Sequence, residues 1–378
     1  MPKIAIAGLG NCASSLLQAL GASAKDRLSG LMRERIGPWS CGDIEVVAAF
    51  DIDRRKVGLT IGQAAFSPPN CTQVFEPDLS LFSRTVMMGP VLDGAASHMK
   101  EYPEEITFAV ADLSPVDVAE ELRRSGAEIL VCYLPVGSEQ AVRHYAQACL
   151  DSGVALINCV PVFIASDPEW SARFALAGLP IIGDDIKSQL GATVLHRTLL
   201  RLFEMRGIRI DRTYQLNTGG NTDFLNMLAR DRLASKKKSK TGAVQSSLAT
   251  ELPNENVHIG PSDFVPWQKD NKVCFLRIEG RGLGDAPIEL ELRLSVQDSP
   301  NSAGVVLDAI RCMKLALDHG IGGALTAPCA NFMKSPPQQF SDEDAHRLCD
   351  EFIDSLHQNQ TSSHTGPVPA ASFDQDSQ

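Results

Sequence analysis

Residues 3–22 have the sequence KIAIAGLGNCASSLLQALGA. The segment Lys3 to Ala7 predicts a short buried β-strand, and the spacing of apolar residues after the glycines predicts a helix. Between them, Gly8-Leu9-Gly10-Asn11-Cys12-Ala13 matches the GxGxxA form of the dinucleotide fingerprint. Glycines at such a turn let a pyrophosphate approach the backbone amides at the helix N-terminus. The stretch therefore predicts a dinucleotide-binding turn, with an ordinary tight turn as the alternative.

An acidic residue, Asp51, ends the next clear strand, which we place at Ile44 to Phe50. A carboxylate at this position accepts hydrogen bonds from both ribose hydroxyls of NAD and would repel the 2′-phosphate of NADP. Asp51 therefore indicates NAD as the cofactor, unless it is an unrelated acid at a strand end. The separation of Gly10 and Asp51 exceeds the usual spacing of roughly 20 residues, so we expect an insertion around residues 25–42.

The rest of the first half alternates apolar strands with helices, which predicts an α/β fold with a parallel, doubly wound sheet. The strands are expected at 129–133 and 155–158, and the helices at 116–125 and 139–152. Past Ile210 the predicted strands are longer and have alternating faces, so we expect a second, antiparallel sheet. Its strands are placed at 213–217, 273–279 and 288–296, followed by helices at 302–319 and 341–357. Residues 62–101 receive no assignment.

Composition and charge restrict the class of protein. With 378 residues, 44% hydrophobic and 21% charged, the chain fits a folded globular protein of about two domains. Its formal net charge of −11 argues against nucleic acid and anionic membranes as partners. We see no charged leader and no run of roughly 18 apolar residues, so we expect a cytoplasmic protein. The ten cysteines follow no disulfide or zinc spacing, which favours free thiols.

Several polar motifs are candidates for ligand binding. Lys236 and Lys240 are four residues apart and share one helical face, so their ammonium groups would converge; the alternative is a solvated basic face. The segment GDDIKSQ (183–189) follows an apolar run and precedes a helix, which suits contacts to cofactor and substrate. NTGGNTD (217–223) is a polar turn, and DSPNSAG (298–304) has the composition of a helix cap. Lys334 precedes a double proline and, taken singly, would be a surface lysine.

Taken together, these segments resemble the myo-inositol-1-phosphate synthase family in its shorter bacterial and archaeal form. The resemblance covers most of the chain from Lys3 to about Pro337. Its motifs are GLGNCASS (8–15), FDIDRRKVG (50–58), CYLPVGSE (132–139), GDDIKSQLGAT (183–193), LNTGGNTDF (216–224), SKKKSKT (235–241), GPSDFVPW (260–267), DSPNSAGVVLDAIR (298–311) and FMKSPP (332–337). Such a co-linear series is more specific than any single motif and favours a site role for the lysines.

The resemblance implies a Rossmann-type, doubly wound parallel sheet interrupted by an α+β domain for catalysis and oligomerisation. The expected parts are an NAD-binding domain at 1–205, an α+β domain at 206–300, a C-terminal segment at 301–357 that returns to the first domain, and a disordered tail at 358–378. The composition of the tail, polar and without periodicity, supports the last of these. A homotetramer is also implied.

The resemblance also assigns site residues, named here by their positions in this chain. The implied catalytic residues are Lys236, Lys240, Lys272, Lys334, Asp185, Asn217, Asn221 and Asp223. The implied cofactor-binding residues are Gly8, Gly10, Asn11, Cys12, Ala13, Asp51, Asp53, Pro135, Gly137, Ser138, Asp184, Ser188, Asp298 and Ser299. Lys269 is close enough to Lys272 to leave that assignment open, and it is also open whether a divalent metal or an ammonium ion assists.

The activity implied is the NAD-dependent cyclisation of glucose 6-phosphate to 1D-myo-inositol 3-phosphate by oxidation, enolisation, aldol closure and reduction. Lysines suit this chemistry because cations stabilise charge that develops on substrate oxygens, and a lysine with a lowered pKa can move a proton. Two alternatives stay open. One is a related enzyme that closes another sugar phosphate, such as a ketose phosphate, and the other is a catalytically silent NAD-binding regulatory protein.

Overall fold

The structure is a computed structural model that describes residues 1–362, apart from the side chains of 261–262 and 358–362. Two β-sheets organise it. The first sheet consists of β1 (Lys3–Ala7), β2 (Glu45–Asp51), β3 (Met87–Met88), β4 (Ile129–Cys132), β5 (Ala155–Asn158), β6 (Pro180–Ile182) and β11 (Gly323–Ala324). The second consists of β7 (Arg209–Gly219), β8 (Val257–Phe264), β9 (Asn271–Arg281) and β10 (Pro287–Gln297).

The first sheet has the strand order β11-β6-β5-β4-β1-β2-β3, and its pairings are parallel. Every residue of β4 and β5 is buried, because helices cover both faces of such a sheet. From β1 the chain proceeds to one side through β2 and later to the other side through β4. The carboxyl ends of β1 and β4 therefore border the crevice at which open α/β sheets bind ligands. The predicted α/β fold with a doubly wound parallel sheet is confirmed.

Helices connect the strands and cover both sheets. They are α1 (Asn11–Ser23), α2 (Ile61–Ala64), α3 (Val118–Ser125), α4 (Glu139–Ser152), α5 (Pro168–Leu176), α6 (Ala192–Met205), α7 (Thr222–Asn226), α8 (Ala234–Gln245), α9 (Asp298–Asp318), α10 (Thr326–Phe332) and α11 (Asp342–Ser362). Side chains of Asp117, Asp167 and Asn221 cap the N-termini of α3, α5 and α7. The N-terminus of α1 has no side-chain cap.

The second sheet is mixed, so the expectation of an antiparallel sheet is wrong for one pair of strands. β7 pairs in parallel with β8, whereas β9 pairs antiparallel with both β7 and β10. The connection from β7 to β8 passes through α7 and α8, and a crossover of this length permits parallel pairing. Helices α6 and α8 pack on one face of the sheet, where Leu200, Val244 and Leu276 are part of its core.

The chain returns to the first sheet after β10. Helix α9 packs against α1, and β11 extends the parallel sheet beside β6. Residues 332–335 pair with the loop that follows β6: the Lys334 N–H donates to the Asp185 carbonyl at 2.8 Å, and the Ser335 N–H donates to the Asp184 carbonyl at 3.0 Å. This pairing fixes Lys334 at the carboxyl edge of the sheet. The division into domains at residues 206 and 301 stays a prediction.

Three features of the remaining chain bear on the sequence expectations. Residues 62–101 contain α2, β3 and mainly irregular structure. Helix α11 continues to Ser362, so residues 358–362 of the predicted tail are helical, while 363–378 lie outside the described residues. Within residues 1–362 we find no helix that is both long and apolar enough to cross a membrane. The cytoplasmic location stays a prediction.

Candidate active site

A cavity opens at the carboxyl edge of the first sheet. One part of its wall, here called the glycine loop, consists of residues 8–12 between β1 and α1. Another part, the lysine cluster, consists of Lys236, Lys240, Lys272 and Lys334. The first turn of α9 connects the two, because the Cys12 Sγ lies 3.8 Å from the Ser299 Oγ and the Lys272 Nζ lies 3.1 Å from the Asp298 Oδ1.

Within the glycine loop, Gly8 requires glycine for steric reasons. Gly8 has a φ of 89°, and a Cβ at this residue would lie 3.0 Å from the Tyr133 carbonyl oxygen. At Gly10, which lines the cavity, an added Cβ would meet no atom within 4 Å. Because α1 has no side-chain cap, the amides of its first turn are not engaged within the helix. Backbone donors at a helix N-terminus form a binding site for an anion.

Asp51 lines the same part of the cavity and is fixed by backbone donors. Its Oδ2 accepts the Leu9 N–H at 2.6 Å, and its Oδ1 accepts the N–H groups of Ile52 and Asp53 at 2.8 Å each. The carboxylate therefore has a set orientation and a fixed distance from the glycine loop. A ribose diol bound beside this loop would find a preformed acceptor.

Two residues absent from the sequence prediction support the glycine loop. The Lys56 Nζ donates to the Leu9 carbonyl at 2.7 Å, and the Asn70 Nδ2 donates to the same oxygen at 2.9 Å. Both residues line the cavity. Lys56 lies within the family-like motif FDIDRRKVG, but the residues around it in the sequence do not distinguish it from a surface lysine. Asn70 lies in the stretch that received no assignment.

The lysine cluster is assembled from three segments. Lys236 and Lys240 project from α8 toward the cavity, as their spacing predicts, whereas Lys237 and Lys238 are exposed. Lys272 comes from β9, and Lys334 from the segment that pairs with the loop after β6. The side chain of Lys240 is only 5% exposed, and it has no hydrogen-bond acceptor in the described part of the chain.

Asp185 joins three of these elements. Its side chain is 1% exposed, and it accepts hydrogen bonds from the Lys334 Nζ at 2.9 Å, the Ser239 Oγ at 2.7 Å and the Lys236 Nζ at 3.3 Å. Burial acts to raise the pKa of Asp185, but the charges of Lys236 and Lys334 hold it well below its usual range. The carboxylate is therefore ionised.

The lysines differ in how firmly they hold their protons. Burial, followed by the positive charges of Lys272 and Lys236, lowers the pKa of Lys240 well below its usual value. Burial also lowers the pKa of Lys334, to about 8, although Asp185 opposes it. For Lys236 burial is outweighed by the charge of Asp185, and the pKa rises. Lys240 and Lys334 thus lose their protons more readily than an ordinary lysine, and Lys236 is a fixed cation.

Of the two candidates for the third site lysine, Lys272 lines the cavity and Lys269 does not. The Lys272 Nζ donates to Asp298 and the residue lines the cavity. Burial acts to raise the pKa of Asp298, but the charge of Lys272 holds it below its usual value. Lys269 lies in the turn between β8 and β9, with an exposed side chain and a φ of 50°.

Asn221 and Asp223 also line the cavity, at the start of α7. The Asn221 Nδ2 donates to the Asp270 Oδ1 at 3.0 Å. Asp270, which was not among the residues predicted from the sequence, is 1% exposed and also accepts hydrogen bonds from Thr72 and Ser299. Burial, and next the charge of Asp298, raises the pKa of Asp270. This buried carboxylate holds α7, α9 and the stretch 62–101 together.

The structure brings most of the predicted site residues to one cavity, but it places six elsewhere. The residues on the cavity are Gly8, Gly10, Asn11, Cys12, Asp51, Pro135, Asp185, Ser188, Asn221, Asp223, Lys236, Lys240, Lys272, Asp298, Ser299 and Lys334. Those that do not line it are Ala13, Asp53, Gly137, Ser138, Asp184 and Asn217.

Each of these six side chains or backbone positions makes contacts within the protein, away from the cavity. Asp53 forms an ion pair with Arg55 at 2.6 Å, and Asp184 accepts bonds from Asn158 and from backbone amides including that of Ile164. The Asn217 Nδ2 donates to a β8 carbonyl, that of Gly260.

The other three residues pack against other parts of the protein, away from the cavity wall. Ala13 is fully buried in the core of the first sheet. Gly137 packs against Arg232, where a Cβ would lie 2.7 Å from the Arg232 Cβ, and Ser138 is buried at the start of α4.

A narrow recess lies behind the lysine cluster. It is lined by Ser188, by Gly191 to Thr193 at the start of α6, and by Lys240, Lys272 and Lys334. No side chain caps α6, so its first amides face this region without a partner in the helix. The recess therefore combines cations with a helix N-terminus. Among residues 1–362 we find no group of three or more His, Cys, Asp or Glu side chains that could hold a metal ion.

Comparison with known proteins agrees with this architecture. Residues 191–299 match the family model described as myo-inositol-1-phosphate synthase. The inositol-3-phosphate synthase of Mycobacterium tuberculosis (strain CDC 1551) is 50% identical over 355 residues, which cover 93% of this chain and 95% of that protein. The protein of the same name from Corynebacterium glutamicum is 49% identical over 360 residues, with 93% and 98% covered.

A solved structure extends the likeness to three dimensions. The crystal structure of Ari2 has a TM-score of 0.74 and 33% sequence identity to this chain, and the match covers 94% of this chain and 99% of Ari2. Half of the residues are identical to named synthases over nearly the whole length of both chains. The chain therefore belongs to the inositol-3-phosphate synthase family of enzymes.

Proposed function

We propose that this enzyme catalyses the NAD-dependent cyclisation of D-glucose 6-phosphate to 1D-myo-inositol 3-phosphate. The observation that carries the proposal is the presence of four lysines and a dinucleotide-type glycine loop on the wall of one cavity. The name shared by the relatives supports the same activity. The steps are oxidation at C5, enolisation, aldol closure onto C1 and reduction.

The glycine loop and Asp51 fit NAD. The amides of the α1 N-terminus suit the pyrophosphate, and Asp51 suits the diol of a ribose. Because Asp51 would face a 2′-phosphate as one negative charge against another, NAD is favoured over NADP. When bound, NAD supplies a hydride acceptor and, later in the same turnover, a hydride donor.

We place the substrate phosphate at the mouth of the recess behind the lysine cluster. Ser188 and the uncapped N-terminus of α6 offer hydrogen-bond donors there. Lys334 adds positive charge beside them. Binding the phosphate at this point would leave the carbon chain of the sugar in the main cavity, between the lysines and the glycine loop.

The lysines have different roles in this scheme. Lys240, with its lowered pKa, accepts the proton of the C5 hydroxyl as that carbon is oxidised. Lys334, which is hydrogen-bonded to Asp185 and also has a lowered pKa, assists in this proton transfer. Lys236, kept protonated by Asp185, stabilises the enolate oxygen. Lys272, held by Asp298, donates to the aldehyde oxygen at C1 and makes that carbon more electrophilic.

A related enzyme that closes another sugar phosphate is the main alternative, because phosphate and carbonyl contacts do not by themselves distinguish an aldose from a ketose. A silent regulatory protein is less well supported. Burying several ammonium groups costs free energy, and a protein that only binds NAD gains nothing from it.

A substrate panel tests the proposal. The enzyme would be incubated with NAD⁺ and, in separate reactions, glucose 6-phosphate, fructose 6-phosphate and mannose 6-phosphate, with products identified by NMR. We expect inositol phosphate from glucose 6-phosphate, with the highest kcat/KM of the three. Turnover of the ketose phosphate alone would favour the main alternative. Bound NAD⁺ without turnover of any sugar phosphate would favour the regulatory protein.

We also propose that the enzyme is a homotetramer that associates through the second sheet. Helices α6 and α8 cover only one face of this sheet. The opposite face presents Tyr214, Leu216 and Phe275, of which Phe275 is 44% exposed. The same face also carries an ion-pair network centred on Arg277 and Glu279. An open sheet face that combines apolar and charged side chains is suited to association with another copy of the chain.

A further inference from the structure

We infer that Lys56 is a positioning residue for the dinucleotide: its ammonium group fixes and polarises the Leu9–Gly10 peptide, so that the Gly10 amide binds the pyrophosphate. The inference rests on the proposed function, because it assumes that NAD binds at the glycine loop. Lys56 follows β2 and lies beneath that loop. Its side chain is 2% exposed.

The contacts of Lys56 converge on one backbone carbonyl. The Lys56 Nζ donates to the Leu9 oxygen at 2.7 Å and to the Asn70 Oδ1 at 2.9 Å. The Asn70 Nδ2 donates to the same Leu9 oxygen at 2.9 Å. On its other side, the Leu9 N–H donates to the Asp51 Oδ2 at 2.6 Å. Leu9 is therefore held from both sides, and the peptide that follows it has a defined orientation.

The charge on Lys56 reaches the cavity through this peptide. The Leu9 carbonyl and the Gly10 N–H belong to one planar peptide unit with delocalised electrons. A cationic donor on the oxygen withdraws electron density from the nitrogen, so the N–H becomes a stronger donor. The Gly10 N–H has no acceptor in the described part of the chain, and Gly10 lines the cavity.

The charge balance supports a role in binding an anion. Among residues 1–362, Lys56 forms no ion pair with a carboxylate, whereas the equally buried Lys187 is paired with Asp342 at 2.8 Å. Burial lowers the pKa of Lys56, although Asp51 and Asp53 oppose this through their charges. A lysine that only filled space would carry this cost without benefit, since an apolar side chain fills the same volume. A bound pyrophosphate would supply the missing negative charge.

Substitution of Lys56 tests the inference. In Lys56→Met, the chain length is kept and the charge is lost, so we expect the Kd for NAD⁺ in calorimetry to rise about 10- to 100-fold, the range of one charged hydrogen bond. The KM for NAD⁺ should rise by more than kcat falls, and the KM for the sugar phosphate should not follow. The matched control is Lys314→Met, which removes a buried lysine bound to Glu128 and Asp318 away from the cavity. Its NAD⁺ affinity should equal that of the unmodified enzyme.

A second variant keeps the inference testable if Lys56→Met does not fold. Asn70→Ala removes one neutral donor from the Leu9 carbonyl, and we expect a smaller rise in Kd of about 2- to 10-fold. Unchanged NAD⁺ affinity in these variants, beside an unmodified enzyme that binds NAD⁺, would overturn the inference alone. An unmodified enzyme that does not bind NAD⁺ would overturn the proposed function, and this inference with it.

Discussion

The glycine loop and the lysine cluster both present positive potential to a ligand, but they do so with different chemical groups. The glycine loop does so with neutral backbone amides at the N-terminus of α1, beyond the Gly8 and Leu9 N–H groups that are bound to Phe50 and Asp51. The lysine cluster uses four ammonium groups from separate segments, arranged around Asp185 and Asp298. Backbone amides suit a group whose charge stays constant, such as a pyrophosphate. Titratable side chains suit a reaction in which protons move and charge develops on the substrate.

The two regions also differ in what they cost the fold. Amides at a helix N-terminus are part of the helix and require no burial of full charges. The lysine cluster has four ammonium groups and two carboxylates in ion pairs with it, and such an excess of buried like charge is unfavourable. Lys240 shows this most clearly, because it is buried and its neighbouring cations lower its pKa. We therefore expect substitutions in the cluster to impair catalysis more than stability.

The largest expected effect follows from removing lysines of the cluster. Lys240→Ala and Lys334→Ala should each lower kcat by about 10²- to 10³-fold, the loss typical of one well-placed donor to a transition state. The Kd for NAD⁺ should stay nearly unchanged, because the glycine loop is untouched. Steady-state kinetics and calorimetry on the same preparations separate the two quantities.

Lys237→Ala provides the control on the same helix. Its side chain is exposed and lies on a different face of α8 from Lys236 and Lys240, so activity should stay near that of the unmodified enzyme. If Lys237→Ala were as damaging as Lys240→Ala, α8 would act as a diffuse basic patch. The lysine cluster would then not depend on the positions of individual ammonium groups, and its contrast with the glycine loop would not hold.

A smaller effect is expected in the pH dependence of stability. The pKa of Lys334 is about 8 in the folded enzyme, compared with roughly 10.4 in an unfolded chain. Between these values the unfolded chain binds more protons than the folded one, so the free energy of unfolding rises with pH. The rise attributable to Lys334 should be about 2–3 kcal/mol, and Lys334→Met should lack it. Denaturant unfolding of both proteins from pH 7.5 to about 10 measures the difference. Parallel curves would show that Lys334 keeps an ordinary pKa.

The difference between the two regions also explains which predictions from the sequence succeeded. The glycine loop is contiguous, so the strand, the turn and the helix could be predicted from residues 3–22. The convergence of Lys236 and Lys240 followed from their spacing in one helix. Lys56 and Asp270 were missed because their roles depend on contacts with residues distant in the sequence, such as Leu9 and Ser299.

For other residues, the local composition of the sequence did not reveal the tertiary contacts. Asp184 and Asp185 are adjacent acids, yet one is bound by Asn158 and backbone amides and the other by lysines. Asn217 lies in a polar turn motif, but its side-chain amide donates to the Gly260 carbonyl and so connects β7 with β8. The parallel pairing of those strands was equally hidden, since alternation of side chains along a strand does not specify its neighbour's direction.

In the proposed reaction, one cavity holds the cofactor and the sugar phosphate together through oxidation, ring closure and reduction. This proposal is tested most directly by supplying NAD⁺ far below the concentration of glucose 6-phosphate and following product and NADH in one reaction. We expect conversion well beyond the amount of NAD⁺ added, with no net accumulation of NADH. Product that stops at the amount of NAD⁺, or NADH that accumulates in step with product, would contradict the proposal.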